Sequence, residues 1–365
     1  MMSVLLRFLL LPVLCLLTLQ SLRAAEVTGL YEARVPVGSQ SAGDRARAID
    51  AGFRQVLVKV SGQRSVLAAP AIQAALGKGE SLLGSYRYES AIGSGSASGQ
   101  SEASGQGILF IHLSFDPTGV RAILNRAGAP VWGASRPPLY LWLVREGAQG
   151  GTLFALGTPQ ADVLLDMAAQ RGLPTVLPPP GTATGGDAIV TGVPALIREA
   201  ATRAGARLVL AASLGSSGSG VRASGVLSVD GVGERLEAVA KDEMAAIREL
   251  VADAADRLGG RYAIVARQDQ MLTVRLRVTG VRSLAMHAGL ERWLGSLPLV
   301  RDLVVEGILH EAAGERIEYG LTLAGATDRL LQAMAADGRF ASVGTPIAEG
   351  SMMTITAALA DTPAP

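Results

Sequence analysis

The side chains in this chain that could do chemistry are few and scattered. Its three histidines are His112, inside the apolar run Ile108–Phe115, His287, within a helical pattern, and His310, which sits beside Glu311 near a turn. A zinc site needs His or carboxylate ligands converging at set spacings, such as His-Glu-x-x-His on one helical face. None of the three has another histidine within five residues, so no metal ligand is assigned. His310 and Glu311 read as solvated turn residues. His112 reads as a core or interface histidine with one hydrogen bond, not as a general base.

Other catalytic signatures are equally sparse. Gly93-x-Gly95 and Gly218-x-Gly220 resemble parts of phosphate-cradling loops, yet neither completes Gly-x-Gly-x-x-Gly. Neither sits at a direct strand-to-helix turn, where a pyrophosphate would meet the helix N-terminus. They read instead as a flexible linker and a hairpin turn, and no Walker lysine accompanies them. A Gly-x-Ser-x-Gly elbow and Ser-x-x-Lys are both absent. The carboxylates Asp162, Asp166, Asp242 and Glu243 fall on polar helix faces or in first helical turns, where they complement the helix dipole. The sequence therefore assigns no catalytic, cofactor-binding or metal residue, and expects no cofactor.

The start of the chain indicates where it works. Arg7 precedes an apolar block from Phe8 to Leu19, followed by Gln20-Ser-Leu-Arg-Ala-Ala25, which is the pattern of an export signal. A block of about twelve residues is short of the roughly 20 needed to span a bilayer. We place cleavage after Ala24. The single cysteine, Cys15, lies within the block, so the mature chain is expected to have neither disulfides nor thiol chemistry. Cleavage takes away Arg7 and Arg23, leaving 31 basic residues against 32 acidic ones. Such a near-neutral chain lacks the basic face that nucleic acid demands. Expected are a periplasmic location, no nucleic-acid partner and no stable membrane span once the signal is gone.

The mature length of about 340 residues exceeds what one core serves, so two or three domains are expected. The reading is an α+β / α/β multidomain chain. Residues 1–24 are the signal, and 26–130 an N-terminal α+β domain with a flexible Gly/Ser insertion at 93–107. Residues 137–262 form a middle mixed-sheet α/β module, 268–358 a C-terminal ferredoxin-like βαββαβ unit, and 359–365 a loose tail. In the first domain a strand is expected over 27–37. Ser41-Ala-Gly-Asp44 then starts a helix with Ala46, Ile49, Phe53, Val56 and Val60 on one stripe, and Gly62 stops it. A second short helix is expected over 70–76, strands over 82–89 and 108–115, and a helix over 117–126.

In the middle module Leu139–Val144 reads as a strand covered on both faces. Helices at 159–171 and 188–204 alternate with strands at 173–177 and 207–214, and a hairpin turns at Asp230-Gly231. In the last unit Leu272, Val274, Leu276 and Val278 alternate with polar residues, giving a half-buried strand. A helix at 283–296, strands at 300–308 and 315–323, a helix at 326–336 and a strand from 339 follow, in ferredoxin-like order.

Gln55-Val-Leu-Val-Lys-Val-Ser-Gly62, Tyr86-Arg-Tyr-Glu89, Phe115-Asp116, Pro130-Val-Trp132, Arg136-Pro137 and Leu141-Trp142 together resemble the exported proteobacterial family of unknown function numbered 2066. The resemblance runs over nearly the whole mature chain, and it implies compartment and architecture but no site residues. Ala204–Leu214 and the hairpin after it are similar to the periplasmic α/β module at the N-terminus of TolB, which implies binding of other proteins. The leading expectation is a non-catalytic interaction or scaffold protein docking on a cell-envelope partner through an exposed apolar patch or open sheet edge. A periplasmic small-ligand binding protein is the alternative, and a hydrolase with a spatially assembled site the third reading.

Overall fold

The computed structural model describes residues 25–91, 108–147, 151–178, 206–265, 271–311, 314–350 and 352–360. The expected signal, the Gly/Ser insertion and the helix over 188–204 lie outside these residues.

The N-terminal unit comprises β1 (Ala25–Glu26), β2 (Glu32–Pro36), α1 (Ala42–Ser61), α2 (Pro70–Gln73), β3 (Leu83–Ala91), β4 (Ile108–Phe115), α3 (Pro117–Arg126) and β5 (Ser135–Arg136). The α1 helix follows from its sequence: Ser41 accepts from the Asp44 N–H at its start, and Gly62 ends it at φ 75°, its N–H bonded to Val58 O. Of the expected stripe Ile49, Phe53, Val56 and Val60 are buried, while Ala46, near the start of the helix and beyond the reach of β4, is exposed. The buried four pack in one core with Ile111, Leu113 and Phe115 of β4, the centre of an antiparallel sheet ordered β2-β4-β3. Asp116 caps α3 by accepting from the Thr118 and Gly119 N–H groups. The strand expected over 27–37 is shorter than read. Gly29, at φ 68°, turns the chain first, and the Glu32 N–H closes that turn on Gly29 O.

The middle unit comprises β6 (Leu139–Arg145), β7 (Thr152–Leu153), α4 (Pro159–Gln170), β8 (Thr175–Val176), β9 (Leu208–Ser217), β10 (Gly220–Val229), β11 (Val232–Ala240) and α5 (Glu243–Tyr262). Its sheet is ordered β11-β10-β9-β6-β7; β6 runs parallel to β9 and β8, and the other pairs are antiparallel. Asp230 (φ 50°) and Gly231 (φ 83°) make the two-residue turn between β10 and β11, both left-handed as that hairpin requires. Leu139, Leu141 and Leu143 face α4 and α5 in the main core. Val144, Val209 and Ala211 form a smaller cluster with Tyr140 and Trp142.

The C-terminal unit comprises β12 (Met271–Val281), α6 (Leu284–Ser296), β13 (Val300–Glu311), β14 (Gly314–Ala324), α7 (Thr327–Ala336), β15 (Phe340–Val343), β16 (Ile347–Glu349) and β17 (Met352–Leu359). Val274, Leu276 and Val278 of β12 are buried with Leu290, Leu294, Leu330 and Met334 of the two helices. The sheet is ordered β13-β14-β12-β17-β15. The strand after α7 is not the one that joins β12, as a simple βαββαβ order would have it. That strand, β15, is four residues long and exposes its middle, whereas β17 buries Ile355 and Ala357. Reached by a reversal from β15, β17 takes the place beside β12 and runs parallel to it, leaving β15 outside. The result is an α+β multidomain fold of three units. Among the described residues no helix is long and apolar enough to cross a membrane.

Candidate functional site

The structure separates His112 from the other two histidines. On β4, its Nε2 stands 2.7 Å from Glu89 Oε2 of β3, between Arg34 and Arg87 on the neighbouring strands. This is a polar sheet face, not a core position. His287 and His310 line one open cleft of about 810 Å³ in the C-terminal unit, with Ser283, Leu284, Ile308, Glu311 and Glu315. Their spacing of more than twenty positions hid that proximity; it arises because the β13–β14 hairpin folds back beside the start of α6.

The chemistry within the cleft is limited. Ser283 is occupied as the N-cap of α6, accepting from the Met286 N–H. His287 Nε2 lies 3.4 Å from Glu291 and has no hydrogen-bond partner; its ring edge rests on Tyr319, 6.1 Å between centroids. Burial pushes the Tyr319 hydroxyl above its ordinary range. His310 Nδ1 lies 3.4 Å from Glu315, and Glu311 accepts from Arg316. Among the described residues no cluster of three His, Cys, Asp or Glu could hold a metal ion. The carboxylates considered from sequence hold helices or ion pairs. Asp242 caps α5, Glu243 accepts from Arg145, Asp166 accepts from Gln170, and Asp162 lies in the first turn of α4. Gly218, at φ 58°, turns β9 into β10, while Gly93 and Gly95 lie outside the described residues.

A second constellation, not singled out as a site from sequence, lies where the units meet. Arg136 is fully buried and has no carboxylate partner among the described residues. Its guanidinium donates to five backbone carbonyls: Gly133, Arg171, Gly172, Lys59 and Trp132, at 2.8–3.2 Å. Lys59 O belongs to the last turn of α1, and Arg171 O and Gly172 O lie just past the end of α4. Two helix C-termini, each carrying roughly half a negative charge, thus converge on one cation. The Trp132 ring lies 4.2 Å from the guanidinium carbon. Burial pushes Arg136 down to about 9, opposed by Tyr31 and helped by Arg171; it still leaves Arg136 charged at neutral pH. Lys59, donating to Gly29 O and Glu32 O, is pushed by burial and by Arg136 down to about 8.

Around this cation the units are clasped. Asp256 of α5 accepts from Arg171 and from both the side chain and the backbone N–H of Arg64. Burial alone would raise the Asp256 carboxyl, but the Arg171 and Arg64 hydrogen bonds outweigh it and hold it below its usual range. Val131 and Ile264 exchange two backbone hydrogen bonds of 2.9 Å. Trp132 stacks on Tyr262 at 20° and 6.0 Å.

Comparison with known proteins adds one finding. Residues 24–133 match the family described as a domain of unknown function (DUF8605). That supports an uncharacterised domain at the N-terminal end. The matched family is a different one from that numbered 2066, to which it gives no support, and the match stops at Gly133 instead of running on through the mature chain. No curated protein and no solved structure matches.

Proposed function

We propose that this chain is an exported, non-catalytic docking protein that binds an extended segment of a cell-envelope protein along the free edge of its C-terminal sheet. The observation that carries the reading is β13. This twelve-residue strand lies at the sheet edge and leaves Val304 (53%), Ile308 (49%) and Leu309 (41%) exposed, with Leu284 (82%) nearby. An edge strand presents unpaired N–H and C=O groups, and an added strand satisfies them while pockets take its alternate side chains. After a bulge between Val305 and Gly307, residues Gly307–Glu311 pair with Glu318–Gly314 in unbroken register, so this half of the edge is regular. Beside it lies the cleft with Leu284, Ile308 and His287, able to receive an apolar side chain.

Among the other sheet edges β7 and β15 are short, with two and four residues. β11 exposes Val232 and Val239 but sets Glu234, Arg235 and Glu237 between them, and β3 exposes a single large apolar side chain, Tyr86. The export signal supports a partner in the envelope, and the family match beginning at Ala24, where cleavage is expected, agrees with it. In the middle unit the parallel β6–β9 pair and the hairpin after β9 support the likeness to the TolB N-terminal module, a binder of proteins. The likeness to family 2066 stands as a proposal of the same order.

The test is a photo-crosslinking residue placed at position 308 or 309 in exporting cells, with position 163 on α4 as control. One discrete adduct from the edge positions, lost on Val304→Pro, is the expected result. No adduct at the edge, or the same adducts from position 163, overturns the reading; an adduct of twice the chain's mass means that the occupant is a second copy. The second reading, small-ligand binding, rests on the volume of the same cleft, and a small molecule co-purifying with uncrosslinked protein would favour it.

A further inference from the structure

A different cleft, of about 640 Å³, lies between α3 of the N-terminal unit and the start of β13. Thr118, Arg121, Ala122 and Asn125 line it at helical spacings of three and four, forming one stripe of α3 opposite the buried Val120 and Leu124. Arg126 adds to this wall, and Arg301 reaches it from the other unit. None of the lining residues is acidic. Among the described residues Arg121, Arg126 and Arg301 have no carboxylate partner, whereas most arginines of the sheets nearby are paired, as Arg275 is with Glu306. The nearest acid along α3, Asp116, is spent on the helix cap.

Two further observations mark a built site. Arg301 is the extra residue of a β-bulge: Val300 pairs with Leu323 and Asp302 with Thr322, leaving it without a partner on β14. Bulges re-aim side chains. Ala122 and Gly295 keep the space between the walls open; a Cβ built on Gly295 meets nothing within 4 Å. The helix dipole accounts for Arg126 in the last turn of α3, but not for Arg121 or Arg301.

We propose that this cleft binds a phosphate monoester. The planar guanidinium forks of Arg121, Arg126 and Arg301 match phosphate oxygens. A phosphate monoester is found both in a soluble polyol phosphate and in a phosphatidic acid headgroup. Because the walls belong to different units, occupancy draws α3 and β13 together.

The purified mature chain is titrated with sn-glycerol 3-phosphate by calorimetry, and floated with phosphatidylcholine vesicles with and without phosphatidic acid. Binding is expected with at least one probe. Arg301→Gln and Arg121→Gln should each weaken it by at least about tenfold, the loss of one charge-assisted contact. Arg222→Gln, on the middle sheet, should leave it within about twofold. Unfolding midpoints of the variants establish that they are folded. Binding to the soluble ester alone assigns a free ligand, and binding to vesicles alone assigns a lipid headgroup; both support the site. Failure of both probes, or binding that survives the Arg121→Gln/Arg301→Gln double substitution, overturns it.

Discussion

Replacing Arg136 by methionine tests whether the junction is held by a cation that has no counter-ion. The change keeps a long apolar side chain against Trp132 and removes the guanidinium, leaving five carbonyls without this donor. A hydrogen bond to a charged group contributes about 1.5–3 kcal/mol, so the gross loss is near 10 kcal/mol. Against it stands the relief of no longer burying a charge, several kcal/mol in real proteins. The difference is a net loss of about 3–5 kcal/mol, a large part of the ~5–15 kcal/mol that holds a domain folded. Arg136→Lys, with three donors and no fork, should fall between the two. The assay is urea unfolding followed both by circular dichroism and by tryptophan fluorescence, since Trp132 lies against the substituted side chain. An Arg136→Met protein within about 1 kcal/mol of the parent would refute the idea that two helix C-termini depend on this cation.

Two more outcomes follow from the same junction. Because the folded protein lowers Lys59 from 10.5 to about 8, the unfolded chain binds more protons between those values, and stability rises with pH across that window. Unfolding free energies from urea titrations at pH 7.5 and 9.5 should differ by about 2 kcal/mol in favour of the higher pH, and Lys59→Met should remove most of the difference; a parent protein that weakens over this range contradicts the assignment. A Cβ on Gly259 would sit 2.4 Å from Gly62 O and 2.6 Å from Gly62 C, backbone that cannot swing aside, so Gly259→Ala should lower stability by about 3 kcal/mol in thermal unfolding. A neutral Gly259→Ala would mean that α1 and α5 are not in van der Waals contact there.

Local rules made much of the fold legible. Ser41, the Ile49–Phe53–Val56–Val60 stripe and Gly62 define α1 without any distant partner, and Asp230-Gly231 defines a hairpin by the backbone conformations those two residues permit. What local rules leave open is which of several alternating strands pairs with which. β15 and β17 both follow α7, and only the burial of Ile355 and Ala357 against β12 decides for β17. The shared cleft of His287 and His310 escaped for the same reason, since the paired ends of β13 and β14 and a helix start at 284 come together only after the sheet forms. Arg136 escaped differently. An arginine between Ser135 and Pro137 carries no periodic signal, and its carbonyl partners have no side-chain identity to be read.

The segments that resemble a family bear on this last point. Lys59 and Gly62 from the first, Trp132 from Pro130–Trp132, and Arg136 itself meet at the junction: Lys59 O and Trp132 O accept from Arg136, and Gly62 O accepts from Arg171. A glycine at φ 75° and a buried guanidinium admit few replacements, because the first needs a residue without a Cβ and the second needs five donors in a plane. The constraint at Gly62 and Arg136 is then a property of how one unit is seated on the next. The docking surface we propose accordingly lies where the chain leaves backbone and apolar groups unspent, as it does along β13.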